Sequence, residues 1–557
     1  MNIPTAIVLL MIASVNVTAN CKPCTFLGTD SIPSDNRHIP MPEPLDHHVP
    51  STNIKRIANA TLLRRFDLGR GVRLATGNPY KALNTDAMGE VPNSSWFENR
   101  NGKKRMTVEE IARGPNSVGG PDTTGTWTIF RAKNEGDSPG FHIIDDRGER
   151  YVIKLDPRGF PELASGAEVI STKIMYAAGY RVPENYVTEF DPNIVKLPEK
   201  DIMIEGRWGR ERPMTAEDLQ NVFDLSHAFA NGKVRGVASR YIEGKALGGW
   251  KLKGTRPDDP NDFIPHEHRR EIRGLRVVAS WINHYDINYG NTFDTYVTVD
   301  GKSYVRHYLI DFGGTLGAST DGPMPRLYGH EYFFDMWRVL TRIATLGAYY
   351  PLYERWDTIA YPAAGTWEAR TFKPAEYRFL YPSLAFDNLT DGDGYWAARI
   401  VMSFSDKQLY AAAAEGQYRD PTVAAHIAEI LVRRRDKIGR RYYSQVNPLD
   451  EFKLHRLSGG DYELSFKDRA IVDGLEAPEG AMYSYAINLL NGCPICTSAV
   501  KTKTRLSLPA LEMPSIADTY AIVKIRTVRD GERISPLLCV YLRREVDGSL
   551  TLAGLSR

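Results

Sequence analysis

Long uncharged apolar runs are what this 557-residue chain has least of. Past its first twenty positions, even the stretch Glu331 to Leu340 is broken by Asp335 and Arg338, so no segment of the mature chain reads as a transmembrane helix. Charge of one sign is lacking too. The 70 Lys and Arg stand against 68 Asp and Glu, a net charge of +2, which excludes a nucleic-acid binder that relies on bulk electrostatics. Cysteine is scarce, with five residues: Cys21, Cys24, Cys493, Cys496 and Cys539. Its two C-x-x-C pairs lie at opposite ends of the chain, so nothing local supports a four-thiolate zinc site. In an exported chain each pair closes a small loop or the distant pairs meet, and the odd count leaves one thiol over. Disorder is excluded by 42% hydrophobic and 25% charged residues, enough to bury a sizeable core. The length implies roughly two to four domains.

The one apolar run sits at the start. Ala6 to Val15 is too short to span a bilayer comfortably, and Val17-Thr18-Ala19 offers the small residues a signal peptidase cuts after. Residues 1–19 are therefore read as a signal peptide, which places the mature protein outside the cytoplasm: periplasmic, envelope-associated or secreted. Cys21 is a candidate lipid anchor, although Asn20 before it fits a lipobox poorly.

Residues 20–120 read as an extension laid over the core. Pro40, Pro42, Pro44 and Pro50 break regular elements, and a helix begins at Thr107. From Trp127 the pattern turns to strands: Trp127–Phe130, Phe141–Ile144 and Arg150–Leu155, the last two joined by the turn Asp145-Asp146-Arg147-Gly148. The spacing of Val169, Ile170, Ile174 and Ala177 predicts a helix that carries Glu168 and ends at Gly179. Further strands are expected at Asn185–Phe190 and Val237–Ile242, and a helix from His268 to Asn283. His266 and His268 stand two apart and cannot share a helix face, so His266-Glu267-His268 is read as capping or solvent-facing.

Two short stretches carry chemistry. His284-Tyr285-Asp286-Ile287-Asn288-Tyr289-Gly290-Asn291 sets an Asp and an Asn five residues apart (291 − 286 = 5), and Leu309-Ile310-Asp311-Phe312-Gly313 sets an Asp between an apolar strand and two glycines. Transfer from a triphosphate needs Mg²⁺ on hard oxygen ligands and one more carboxylate at the attacking hydroxyl. Asn291 and Asp311 are read as the metal ligands and Asp286 as the residue that orients the nucleophile. A hairpin around Asp300-Gly301 would support the strand that presents Asp311.

These motifs resemble the protein-kinase-like superfamily, whose catalytic loop reads H-R-D-x-x-x-x-N and whose metal loop reads D-F-G. Val152-Ile153-Lys154 resembles the V-A-I-K strand, which implies that Lys154, a surface-accessible charge, contacts the nucleotide phosphates with Glu168 as its partner; Glu162 is the rival. In the atypical kinases related to the bacterial HipA toxins and the secretory Fam20 group, this helix runs from a Glu to a Gly eleven residues on, followed by V-P. Here 179 − 168 = 11, and Val182-Pro183 follow. The phosphate-covering turn, Lys133 to Gly140, is not G-x-G-x-x-G, but Gly136 and Gly140 would let backbone approach phosphate. Glu243-Gly244 takes the hinge position. Tyr285 stands where the family has Arg, and Asn288 where HipA-like loops have His. The family's His braces the loop by hydrogen bonding, the role implied for His284.

The resemblance implies an α+β, two-lobed protein-kinase-like fold: N-lobe 121–245, C-lobe 246–447, preceded by the extension and followed by an all-β domain at 448–557. It implies ATP and Mg²⁺ or Mn²⁺ as cofactors, with phosphoryl transfer to a protein, sugar or lipid acceptor. The alternatives are a pseudokinase or scaffold of the cell envelope, and an AMP transferase. Arg433-Arg434-Arg435, Arg440 and Arg441 form a basic helical run, read as a solvated face or else a docking patch for an acidic substrate or membrane surface.

Overall fold

The computed structural model describes residues 32–45, 69, 72–73, 76 and 79–557, apart from 134–137, 206–210, 355–358, 459, 491–493 and 509–518. The signal stretch, Cys21, Cys24, Gly136 and Cys493 lie outside the described residues.

Strands β1 (Trp127–Ala132), β2 (Gly140–Ile144), β3 (Arg150–Leu155), β4 (Asn185–Phe190), β5 (Val195–Lys196) and β6 (Val234–Arg240) form one sheet in the order β4-β6-β3-β2-β1-β5. All neighbours are antiparallel except β1 and β5. Alternate residues supply the buried face: Trp127 and Ile129, Phe141 and Ile143, Tyr151, Ile153 and Leu155. The β2–β3 turn closes as its sequence predicts, with Gly148 at φ +78° and its N–H donating to the Asp145 carbonyl at 2.9 Å.

After α1 (Val108–Arg113) and the three strands comes α2 (Leu163–Ala178), buried almost all round. It ends where expected. Gly179 takes φ +115° and caps the carbonyls of Met175 and Tyr176, and a Cβ there would meet the Phe97 ring at 2.3 Å.

The second lobe is helical. Its core joins α2 to α3 (Arg270–Trp281), α4 (Asp391–Met402), α5 (Asp406–Ala414) and α6 (Pro421–Tyr443) through Ile174, Leu275, Trp281, Trp396 and Leu431. A small sheet of β7 (Lys245–Gly248), β8 (Thr292–Val299) and β9 (Lys302–Leu309) lies beside it, with Asp300 and Gly301 in left-handed conformation at the β8–β9 turn. The extension runs along this sheet, Ile39 N–H donating to Ser303 and Leu45 N–H to Leu247, both at 2.9 Å.

From Leu449 onward the chain is largely β. A three-stranded sheet and a six-stranded sheet pack around Leu449, Leu464, Ile487, Val523 and Leu542. Asn447 ties this unit to the end of α6, donating to the Ile525 carbonyl at 3.1 Å and accepting from the Thr527 hydroxyl at 2.8 Å. Cys539 in the larger sheet is disulfide-bonded. No helix among the described residues is long and apolar enough to cross a membrane.

Candidate active site

Helix α3 ends at Trp281, and Asn283 turns the chain at φ +57° into the loop that carries Asp286. The loop is folded on itself. Asn291 Nδ2 donates to the Asp286 carbonyl at 2.7 Å and to its Oδ2 at 3.1 Å, while Asn288 Nδ2 donates to Asp286 Oδ1 at 2.7 Å. Two amides thus aim one carboxylate, and charge-assisted bonds of this kind hold orientation well. The β8–β9 ladder pairs Thr292 with Leu309, and one step beyond it Ile310 N–H donates to the Asn291 carbonyl at 3.1 Å. The hairpin therefore sets Asn291 alongside the residue before Asp311, although the two are far apart in sequence.

Asp311 then adopts φ +64°, a left-handed turn uncommon outside glycine. The turn drives Phe312 fully into the core and points the Asp311 carboxylate back toward the N-lobe. There Lys154 Nζ lies 2.8 Å from Asp311 Oδ1 and 2.8 Å from Glu168 Oε1. Glu168 also accepts the Phe312 N–H. Strand β3, helix α2 and the segment after β9 thus meet at one ammonium group.

Lys154 is only 15% exposed, against 43% for Asp311 and 2% for Glu168, so it is no surface charge: its ammonium sits between the two carboxylates. Burial works against its charge, but Asp311 and Glu168 outweigh that and hold its pKa above the ordinary lysine value. Lys154, with help from Lys133, holds Asp311 below the usual carboxylate range. Burial pushes Glu168 up against the pull of Lys154. No group of three or more His, Cys, Asp or Glu side chains that could hold a metal gathers among the described residues, but two hard oxygens are left for a divalent cation. Asp311 is open to the cleft with one oxygen beyond its Lys154 bond, and the Asn291 side chain spends only its nitrogen on Asp286, leaving the amide oxygen as a hard ligand.

Four readings change. His284 does not brace the loop by hydrogen bonding: both ring nitrogens are buried without a partner among the described residues, and the ring packs on Phe312 at 5.4 Å. Burial lowers its pKa to about 4, which keeps it neutral. Glu162 is no rival for Lys154, because it faces Arg419 at 3.0 Å and Arg235 at 3.7 Å. His266 and Glu267 face inward, not to solvent; the His266 ring bonds Asp262 at 2.7 Å and Glu267 accepts the Gly254 N–H at 2.6 Å. Gly140 sits inside β2 opposite Lys154, where a Cβ would stand 2.0 Å from the Ile153 carbonyl oxygen; close strand approach accounts for this glycine.

Three residues of the site escaped the sequence reading. Asp156 accepts from the Glu162 and Ser165 N–H groups at 2.9 and 2.8 Å and from the Ser165 hydroxyl at 2.7 Å, clamping the start of α2 to the end of β3. It fixes the helix bearing Glu168 to the strand bearing Lys154. Lys133, just past β1, adds a second cation near Asp311 and donates to the Ser138 carbonyl at 2.8 Å. Asn288, noticed only as a replacement, aims Asp286. The signal available for Lys133 was its position at the start of the β1–β2 connection in the sequence.

A lysine on the third strand of a sheet, tied to a carboxylate on the following helix and to an Asp after a hairpin, is set against a loop that presents a second Asp. The fold is α+β, a sheet-built lobe set against a helical one. No family model matches the chain, and no similar curated protein is found. Among the solved structures that resemble it, two do so as follows. The Helicobacter pylori proinflammatory kinase CtkA shares 12% identity at a TM-score of 0.32, covering 58% of this chain and 98% of its own. The Golgi casein kinase shares 10% identity at a TM-score of 0.25, covering 75% of this chain and 97% of its own.

Proposed function

We propose that this chain is a Mg-ATP-dependent phosphotransferase that acts on an acceptor hydroxyl outside the cytoplasm. The observation that carries the reading is Lys154, held at 2.8 Å from both Glu168 and Asp311 opposite an Asp286 carboxylate aimed by two amides. ATP would supply the phosphoryl group, and the metal would neutralise charge on its oxygens. Asp311 and Asn291 would hold that metal through the carboxylate and the amide oxygen. Lys154 stays on Glu168 and exchanges Asp311 for a phosphate oxygen, while Lys133 adds positive charge where the loop has no glycine-rich pattern. Asp286 accepts the proton of the acceptor hydroxyl as its oxygen bonds to phosphorus and the bond to the departing diphosphate breaks. The Cys539 disulfide supports a location outside the reducing cytoplasm.

The test separates binding from transfer. ATP should raise the melting temperature only with Mg²⁺ or Mn²⁺. Asp286→Asn should keep that shift and lose roughly 10²–10⁴-fold in transfer rate, the usual contribution of a positioned base. Binding by wild-type protein without transfer of phosphate or AMP to any acceptor would establish a pseudokinase instead, and full transfer by Asp286→Asn would overturn the loop assignment.

A further inference from the structure

The basic run on α6 divides once the chain is folded. Arg435 turns to Asp406 at 2.6 Å and to the Phe404 carbonyl at 2.9 Å. Arg433, Arg434 and Arg440 instead line a cavity of about 590 Å³ that reaches Asn283, the residue before the catalytic loop. Seven Arg and Lys side chains against three carboxylates surround it.

Arg434 is 3% exposed. It donates to the carbonyls of Glu368 at 3.1 Å and Ser280 at 2.6 Å and to Asn283 Oδ1 at 3.4 Å, and its Nε has no partner among the described residues. Its ring neighbours are Phe372 at 3.7 Å and Trp367 at 5.1 Å. The nearby Glu368 carboxylate is already engaged by the Thr371 N–H. Burial accordingly pulls the guanidinium down to about 10. Three further buried atoms on this cavity lack partners among the described residues: Arg326 Nη1, the Tyr377 hydroxyl and Trp367 Nε1. All four groups can donate a hydrogen bond. These atoms are sealed from the cavity as it stands and would reach a ligand only as their side chains turn toward it; the net positive lining favours an oxyanion, which answers both the charge and the hydrogen bonds.

We propose that this cavity binds a small oxyanion-bearing ligand, free phosphate or a phosphorylated small molecule, at a site separate from the nucleotide cleft. Its volume suits a small organic molecule, and Trp367 and Phe372 give a ring a surface to lie on. The inference does not depend on the kinase reading. Since Arg434 also holds Ser280 and Asn283, filling the cavity would stiffen the approach to the catalytic loop.

The experiment is calorimetric titration of the full chain, in chelator-containing buffer, with inorganic phosphate and separately with phenyl phosphate. Arg326→Gln should weaken binding about tenfold or more, as loss of a charge-assisted hydrogen bond does. Arg434→Gln also loosens the loop and is liable to misfold, so Tyr377→Phe is the second variant. Its hydroxyl has no partner among the described residues, and the variant should weaken binding several-fold with no loss of melting temperature. Tighter binding of phenyl phosphate would point to a phosphorylated organic ligand, and equal binding to phosphate itself. No binding by wild type, or unchanged binding in both Arg326→Gln and Tyr377→Phe, would overturn the proposal.

Discussion

Replacing Lys154 by Met removes the one cation between two carboxylates and keeps the aliphatic stem. Each N···O distance is 2.8 Å, so each pair is worth about 6 kcal/mol of gross attraction at an effective dielectric of 20. The net loss is smaller. Asp311 is 43% exposed and falls back on water, whereas Glu168, at 2%, keeps only the Phe312 N–H and then faces Asp311 as a like charge. Breaking a fully buried pair costs about 3–5 kcal/mol, and with half the triad solvated, Lys154→Met should lose roughly 2–4 kcal/mol at pH 7. The double variant Lys154→Met/Glu168→Gln should recover at least about 1 kcal/mol of that, because the stranded buried charge is gone. Neither should bind ATP with metal. A pH titration adds a sign. In Lys154→Met, burial holds the Glu168 pKa above its unfolded value, so the deficit is present at neutral pH and shrinks as pH falls through that raised pKa. Urea denaturation of wild type, both singles and the double completes the cycle. If Lys154→Met matched wild type within about 0.5 kcal/mol, or if the two losses simply added, Lys154 would not be the hub of this site.

Asp311→Ala should abolish the metal dependence of ATP binding yet cost only about 1 kcal/mol of stability, since its partner keeps Glu168 and its carboxylate is half in water; ATP titrations with and without Mg²⁺ report the first and urea melts the second. The His284 imidazole, with a folded pKa of about 4, takes up its proton in the unfolded chain first, so stability is full above the unfolded value near 6.5 and is lost as pH falls toward 4. That loss is about 2 kcal/mol between pH 7 and pH 5. His284→Phe should flatten this part of the pH dependence; an unchanged slope would count against a neutral buried imidazole. His142 and His330, also lowered to about 4 by burial, act in the same direction.

What the sequence determined was whatever depends on near neighbours. The β-rich runs of β1, β2 and β3 and the Asp145–Gly148 turn are local signals, and Gly179 marked the end of α2 because only a left-handed residue could make that cap. Asp286 and Asn291 could be read because five residues of loop bring one amide back onto one carboxylate. The Asp300-Gly301 turn likewise announced the hairpin that carries Asp311 to Asn291. Tertiary structure decided everything that turns on who lies across the fold. Lys154 looked like a surface lysine from its strand; only the approach of Asp311, 157 residues on, made it a buried hub. His284 became an apolar brace because Phe312 packs on it and no acceptor among the described residues does. The arginine run of α6 read as a uniform basic face, yet Arg434 bonds Ser280 across 154 residues while its neighbour Arg435 turns to Asp406. Charge and hydrogen bonding act through space at a few ångströms, and along an unfolded chain those partners are too far apart to leave a pattern.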